Sequence, residues 1–145
     1  MFSRPDAGVG WEEQAKQELR QEIQIDPGNA LAEFLLGEIA KKSLDWDQAT
    51  AHFSRAASLD ATFGEAFMEW GFSLVSVQEY EKAILPLQTA VRLQPGNPAA
   101  HYNLGIALSR TGRKSEAEKE FAIQKGINAA IDARKNTRPE DLKPQ

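Results

Sequence analysis

His52 and His101 are the only histidines in a chain of 145 residues, and cysteine is absent. Imidazole and thiolate are the side chains best suited to proton transfer, nucleophilic attack and transition-metal ligation near neutral pH. Without cysteine there is no disulfide, no thiolate metal site and no cysteine nucleophile. The two histidines fall in different helical stretches, and each reads as an ordinary, partly buried histidine rather than a ligand or a base. Asp45 and Asp47 copy a fragment of a calcium loop, but no glycine or bidentate glutamate follows at EF-hand spacing, so Asp45 is better placed as a helix cap. There is no glycine-rich phosphate loop, nucleophile elbow or metal-binding helix motif. The sequence therefore predicts a protein that is not an enzyme, with no catalytic residues, no metal site and no cofactor.

The totals exclude further classes. Hydrophobic residues make up 41% and charged residues 26%, the balance of an ordinary soluble globular chain. The net charge is −4, the pI is near 5.3, and no run of five or six basic residues occurs, which argues against nucleic acid as a partner. No apolar run approaches the roughly 18 to 20 residues of a membrane helix, and "MFSRPDAGVGW" lacks the apolar stretch of a signal peptide. The expectation is a soluble protein without membrane association, cytoplasmic by default, its compartment otherwise unknown.

What organises the chain is a repeat. Gly37, Gly71 and Gly105 recur every 34 residues, as do Ala49, Ala83 and Ala117, and the bulky series Phe53, Leu87, Phe121. Such a period marks stacked units, none able to bury its apolar face alone. Within each unit two stretches have helical spacing, for example Ala32, Leu36 and Ala40, then Ala49, Phe53 and Ala56. Asn29 and Asn97 read as N-caps, the latter followed by Pro98 at the first helical position. Asp45 with Gln48, and Thr62 with Glu65, have capping-box spacing. Helices are expected to begin near residues 30, 46, 63, 80, 98 and 114.

These residues closely resemble the tetratricopeptide repeat (TPR) family. Its signature of a large residue and glycine in a first helix, then alanine, an aromatic and alanine in a second, then proline, matches Leu36-Gly37-Ala49-Phe53-Ala56. It matches again at Trp70-Gly71-Tyr80-Ala83-Leu87-Ala90-Pro95, and in part at Leu104-Gly105-Ala117-Phe121, where Gln124 and Ala129 depart from it. The resemblance implies an all-α fold, a right-handed superhelical stack of antiparallel helix pairs with about seven helices.

The same register divides the chain. Residues 1–10 are expected to be a flexible segment and 11–135 the repeat domain: a half-repeat 11–29, then repeats 30–63, 64–97 and 98–126, the last helix extending to about 134 with a bend at Gly126. Residues 136–145 read as a flexible tail. The leading half-repeat, with Ala15, Leu19, Ile25 and Pro27 in second-helix positions, is either a capping helix or the edge of a cut from a longer protein. Pro86 falls inside the helix beginning at 80, where a kink is expected; it is either tolerated on the outer convex side or reshapes the groove.

In TPR proteins the concave wall of first helices commonly binds an extended peptide or a partner's helix. Mapped here, that wall carries the apolar residues Phe34, Met68, Phe72, Tyr102 and Ile106, with Glu38, Glu65 and Glu69 as acidic groups, Lys41 and Arg110 as basic ones, and Asn103 beside them. Either this row is an open binding groove or neighbouring repeats cover it. In the chaperone-tail class, lysine and asparagine clamp a terminal carboxylate; the corresponding residues here are Phe34, Glu38, Glu69, Ala99 and Asn103, so that ligand does not carry over. The expected function is a non-catalytic module binding a protein or peptide rich in basic and apolar residues. The alternatives are a self-associating scaffold, whose homo-oligomer forms through the N-terminal half-repeat around Trp11, and a regulatory segment of a larger protein.

Overall fold

The computed structural model describes residues 7–137 and 139–142. Among these residues all regular structure is helical. The helices are α1 (Ala7–Ile25), α2 (Ala30–Lys42), α3 (Trp46–Leu59), α4 (Gly64–Ser76), α5 (Tyr80–Leu93), α6 (Pro98–Arg110) and α7 (Lys114–Lys135), with a 3₁₀ turn at Pro139–Leu142. The closest packing is within the pairs α2/α3, α4/α5 and α6/α7. Next come α3 on α4 and α5 on α6, then the weaker α1/α2 contact, and α4 also touches α6. Each first helix therefore lies against its own partner and the second helix of the preceding unit, the arrangement of a solenoid.

Local chemistry starts most helices where the sequence places them. The Asn29 carboxamide accepts from the Ala32 amide at 3.0 Å, the Asp45 carboxylate from Gln48 at 3.3 Å, and Asn97 from Ala99 and Ala100 at 3.0 and 3.4 Å. Thr62 is an exception to its expected role. Its hydroxyl and amide donate to Asp60, holding that carboxyl below its usual range, and α4 starts at Gly64 without a side-chain cap.

The turn inside each pair is the same. Leu44, Gln78 and Gly112, again 34 apart, adopt positive φ of 58°, 64° and 85°. The following amides of Asp45, Glu79 and Arg113 reach back to the carbonyls of Ala40, Leu74 and Leu108 at 2.9, 2.9 and 2.8 Å, closing each first helix as a Schellman motif. Only the third turn uses glycine for this left-handed position.

The pair interior explains the repeated glycines. A Cβ on Gly37, Gly71 or Gly105 would lie 2.6, 2.3 or 2.5 Å from Phe53, Leu87 or Phe121 respectively, so each glycine is the seat of the bulky residue 16 positions on. Ala49, Ala83 and Ala117 are buried beside them, and the half-buried Trp70 touches all three clusters of core residues.

The structure adds to the sequence expectations for the two flanks and overturns the outer placement of Pro86. α1 begins at Ala7, within the segment expected to be flexible, and a 3₁₀ turn occupies part of the expected tail; the remainder of both segments lies outside the described residues. α7 and α5 include Gly126 and Pro86 within single helices, and Pro86 is buried rather than on an outer surface.

Candidate protein-binding surface

The first helices α2 and α4 bring Phe34, Glu38, Glu65, Met68 and Glu69 together. With Gln94, Gly96 and Asn97 from the α5–α6 connection they line an open depression of about 560 Å³. Its apolar side is held rigidly: the Phe34 ring packs against Phe53 and Phe63, with centroids 5.4 and 4.8 Å away. Its polar side centres on Lys41, whose ammonium lies 2.9 Å from Glu69 Oε2 and 3.4 Å from Glu38 Oε1.

The Lys41 ammonium also sits 5.9 Å above the Phe72 ring, and that ring meets Trp46 edge-on at 5.6 Å. Burial is the largest influence on Lys41 and acts downward, but the hydrogen bond and charge of Glu69, joined by Glu38, together exceed it, and its pKa stands above the ordinary value. Burial likewise dominates at Glu69 and acts upward. Lys41 offsets only part of it, while Glu38 and Glu65 add to it, so Glu69 holds its proton more tightly than a free glutamate.

Glu38 is the least satisfied member of this group. Its Oε1 is buried, and the Lys41 ammonium 3.4 Å away is a charge partner at the long end of hydrogen-bond distance rather than a close donor. A buried carboxylate oxygen without a close donor is costly, and a ligand donor would relieve it.

The other expected wall residues are not gathered into this depression. Tyr102 is 47% exposed on α6, resting against Phe121 at 5.9 Å, and Ile106 is half-buried nearby in sequence. The Arg110 guanidinium lies over Tyr80 at 5.6 Å. Asn103 must be corrected: it is only 6% exposed and its side-chain amide donates to the Ala99 carbonyl at 2.8 Å, so it is not available to a partner. The row that contains it, Leu35, Glu69 and Asn103, faces the preceding first helix, which covers Glu69 and Asn103.

Two features escaped the sequence reading. The first is a pair of histidine–glutamate contacts. His52 Nδ1 meets Glu33 Oε2 at 2.8 Å, with Arg55 3.6 Å from the same carboxylate; His101 Nδ1 meets Glu120 Oε2 at 2.6 Å. Residues 33 and 101 share one repeat position, and 52 and 120 share another, so the same contact is written with its partners exchanged. The middle repeat places Phe67 and Pro86 there, which explains why Pro86 is buried. Aligning the repeats by their glycines would have exposed this exchange. His101 Nε2 also lies 2.7 Å from the Pro95 carbonyl, so both ring nitrogens of His101 face acceptors.

The second is a cleft of about 730 Å³ between α1 and α2. Trp11, Ala15, Leu19, Leu35 and Ile39 form its apolar floor, and Glu12, Glu18, Glu22, Glu38, Lys41 and Lys42 its rim. Among the described residues no group of three or more histidine, aspartate or glutamate side chains could hold a metal, and no helix is long and apolar enough to cross a membrane.

Similarity to known proteins agrees with this geometry. A family model described as TPR repeat matches residues 71–112. Over those residues the chain is similar to the tetratricopeptide repeat family, in the register that its other repeats share. Among its relatives, anaphase-promoting complex subunit 3 of Schizosaccharomyces pombe is 25% identical over 115 residues, 79% of this chain and 17% of that protein. Protein bimA of Emericella nidulans is 32% identical over 84 residues, 58% of this chain and 10% of that one. Protein O-mannosyl-transferase Tmtc3 of Drosophila melanogaster is 29% identical, over 68% of this chain and 11% of the transferase. The chain thus spans a small fraction of these curated relatives.

Among solved structures, a crystal structure of MamA superposes with a TM-score of 0.76 at 23% identity, covering 87% of this chain and 74% of MamA. MamA from Desulfovibrio magneticus RS-1 gives 0.72 at 20% identity, covering 87% and 71%. At these identities the likeness concerns the fold. TPR repeats of this kind act generally as non-catalytic protein-interaction scaffolds.

Proposed function

We propose that this chain is a non-catalytic module that receives a protein partner on the α2–α4 depression, as an extended peptide or a short helix carrying basic and apolar residues. The observation that carries this reading is Glu38 Oε1, a buried acceptor without a close donor, set in a depression with Glu65, Glu69, Phe34 and Met68. A lysine, arginine or backbone N–H of the partner supplies that donor, while Phe34 and Met68 supply apolar contact. Tyr102 and Ile106 extend the apolar surface along α6, and Arg110 bounds it; Lys41 stays paired to Glu69 and tunes the acidic side. Two relatives are named as subunits of the anaphase-promoting complex, which is in keeping with an assembly role rather than with chemistry on a substrate.

The test is fluorescence anisotropy with labelled synthetic peptides in which Lys or Arg alternates with Leu, against acidic counterparts in which Glu replaces the basic residues. The basic set binds, and Glu65→Lys weakens it about tenfold, because that exposed carboxylate lines the depression and its replacement reverses the charge met by the peptide. Equal binding of the acidic set, or indifference to Glu65→Lys, refutes the reading.

A further inference from the structure

The cleft between α1 and α2 lies where the repeat would put a helix. α4 rests against both α5 and α6, and its counterpart for α1 and α2 is absent among the described residues. The consequences follow the 34-residue register. Ala49 and Phe53, or Ala83 and Leu87, are wholly buried by a first helix, whereas Ala15 and Leu19 at the same positions of α1 are only half-buried. On the other wall, Ser73 and Ala107 are fully buried, but their counterpart Ile39 is not; Asn103 is covered, but its counterpart Leu35 is 39% exposed. Trp11, at the mouth, is 61% exposed. The register also states what the missing helix must offer. It needs a glycine against which Leu19 can seat, as Phe53 and Leu87 seat on Gly37 and Gly71, with large apolar residues beside it. Glu12 is already paired with Lys42 at 3.7 Å, and the remaining acidic groups Glu18 and Glu22 along α1 call for basic flanks.

The far end of α7 meets this description. Beyond the α6 contact, Ile123 and Ile131 are exposed and Ile127 half-buried, one apolar stripe at four-residue spacing. Gly126 stands within it, and unlike the three repeat glycines it has nothing within 4 Å of where its Cβ would be. Arg134 and Lys135 continue this face at its C-terminal end and are exposed. The stretch from residue 123 to 135 spans about 18 Å along a helix, the same reach as residues 11 to 22 of α1.

We propose that the α1/α2 cleft takes the C-terminal half of α7 from a second copy of this chain, with Gly126 over Leu19 and the isoleucine stripe on Trp11, Leu35 and Ile39. The two surfaces lie on different elements at opposite ends of the stack, so the contact is heterologous: each copy offers one cleft and one α7 end, and association continues into open chains or closes into rings. This assembly uses a different cavity from the α2–α4 depression, although Glu38 lies at the edge of both; its floor is made of other residues.

The test is sedimentation of the full chain over a wide concentration range, with two surface variants. Gly126→Gln fills the open space on α7 with a side chain that a single molecule tolerates, and Leu35→Lys places a charge on the cleft floor at an exposed position. Circular dichroism establishes that both fold. The wild-type chain is expected to grow beyond two copies as concentration rises, each variant alone to remain at the 16.1 kDa monomer mass, and an equimolar mixture to form a 1:1 dimer and nothing larger, since it retains one intact cleft and one intact α7 end. A wild-type chain that stays monomeric at hundreds of micromolar overturns the proposal. So does assembly that survives both substitutions, or a mixture that fails to dimerise.

Discussion

Gly71→Ala adds one methyl group at the centre of the middle helix pair. That carbon would lie 2.3 Å from Leu87 Cγ and 2.5 Å from Cδ2, more than an ångström inside ordinary contact with the first of these. Cγ is not a free end that can swing away, and Leu87 is fully buried, so the helices must separate or Leu87 must leave its rotamer. Overpacking of this kind costs about 1 to 3 kcal/mol, and the depth of this overlap places it near the upper limit. Alanine returns about 1 kcal/mol through its better helix propensity, leaving a net destabilisation of about 2 kcal/mol.

Two further glycines calibrate the argument. At Gly105 the obstructing group is the half-buried Phe121 ring, which has room to move, so the net change for alanine is smaller than at Gly71. At Gly126 nothing is in the way, and alanine stabilises by up to about 1 kcal/mol. Urea unfolding followed by far-ultraviolet circular dichroism measures all three. Leu87→Ala alone costs about 2 to 5 kcal/mol, and the double variant with Gly71→Ala should lose less than the sum of the two single losses, because the added methyl then enters space the leucine has vacated. If Gly71→Ala stabilises the chain as Gly126→Ala does, close helix approach is not why glycine recurs every 34 residues.

The exchanged histidine–glutamate contacts give a second prediction: Glu33→Ala or His52→Ala costs about 1.5 to 3 kcal/mol, the range for a hydrogen bond to a charged group, whereas Glu33→His with His52→Glu retains most of the stability, because the third repeat already uses that order. Chemical denaturation of the singles and the double decides it, and a double variant as unstable as the two singles combined refutes it. The third concerns Glu69. With its folded pKa above the ordinary 4.5, the stability linked to its proton is complete below pH 4.5 and lost as pH rises through the folded value. Carbon-13 NMR of its carboxyl group should show a midpoint above 4.5 that rises further in Lys41→Met, where the compensating ammonium is gone; a midpoint at or below 4.5 in the parent chain contradicts the burial argument.

Much of the candidate surface was legible because a repeat reports on itself. The spacing of Gly37, Gly71 and Gly105 implies which face of each first helix is turned into its pair, and so places Phe34, Glu38 and Met68 on another. The depression also includes Gln94, Gly96 and Asn97 from a connection, which periodicity within helices could not assign. Nor could composition show that Glu38 keeps a buried acceptor without a close donor, since that depends on how near Lys41 approaches.

What the sequence determined by itself was the period, the helix pairs, the caps at Asn29, Asp45 and Asn97, and the pairing of small with bulky residues, because each rests on chain-local chemistry or on a register every repeat shares. The tertiary structure alone decided which members of one row are covered. Leu35, Glu69 and Asn103 occupy equivalent positions, yet the polar Asn103 is buried and the apolar Leu35 is open. Burial in a solenoid is conferred by the neighbouring unit rather than by the residue itself, and among the described residues only α4 and α6, not α2, have a first helix before them.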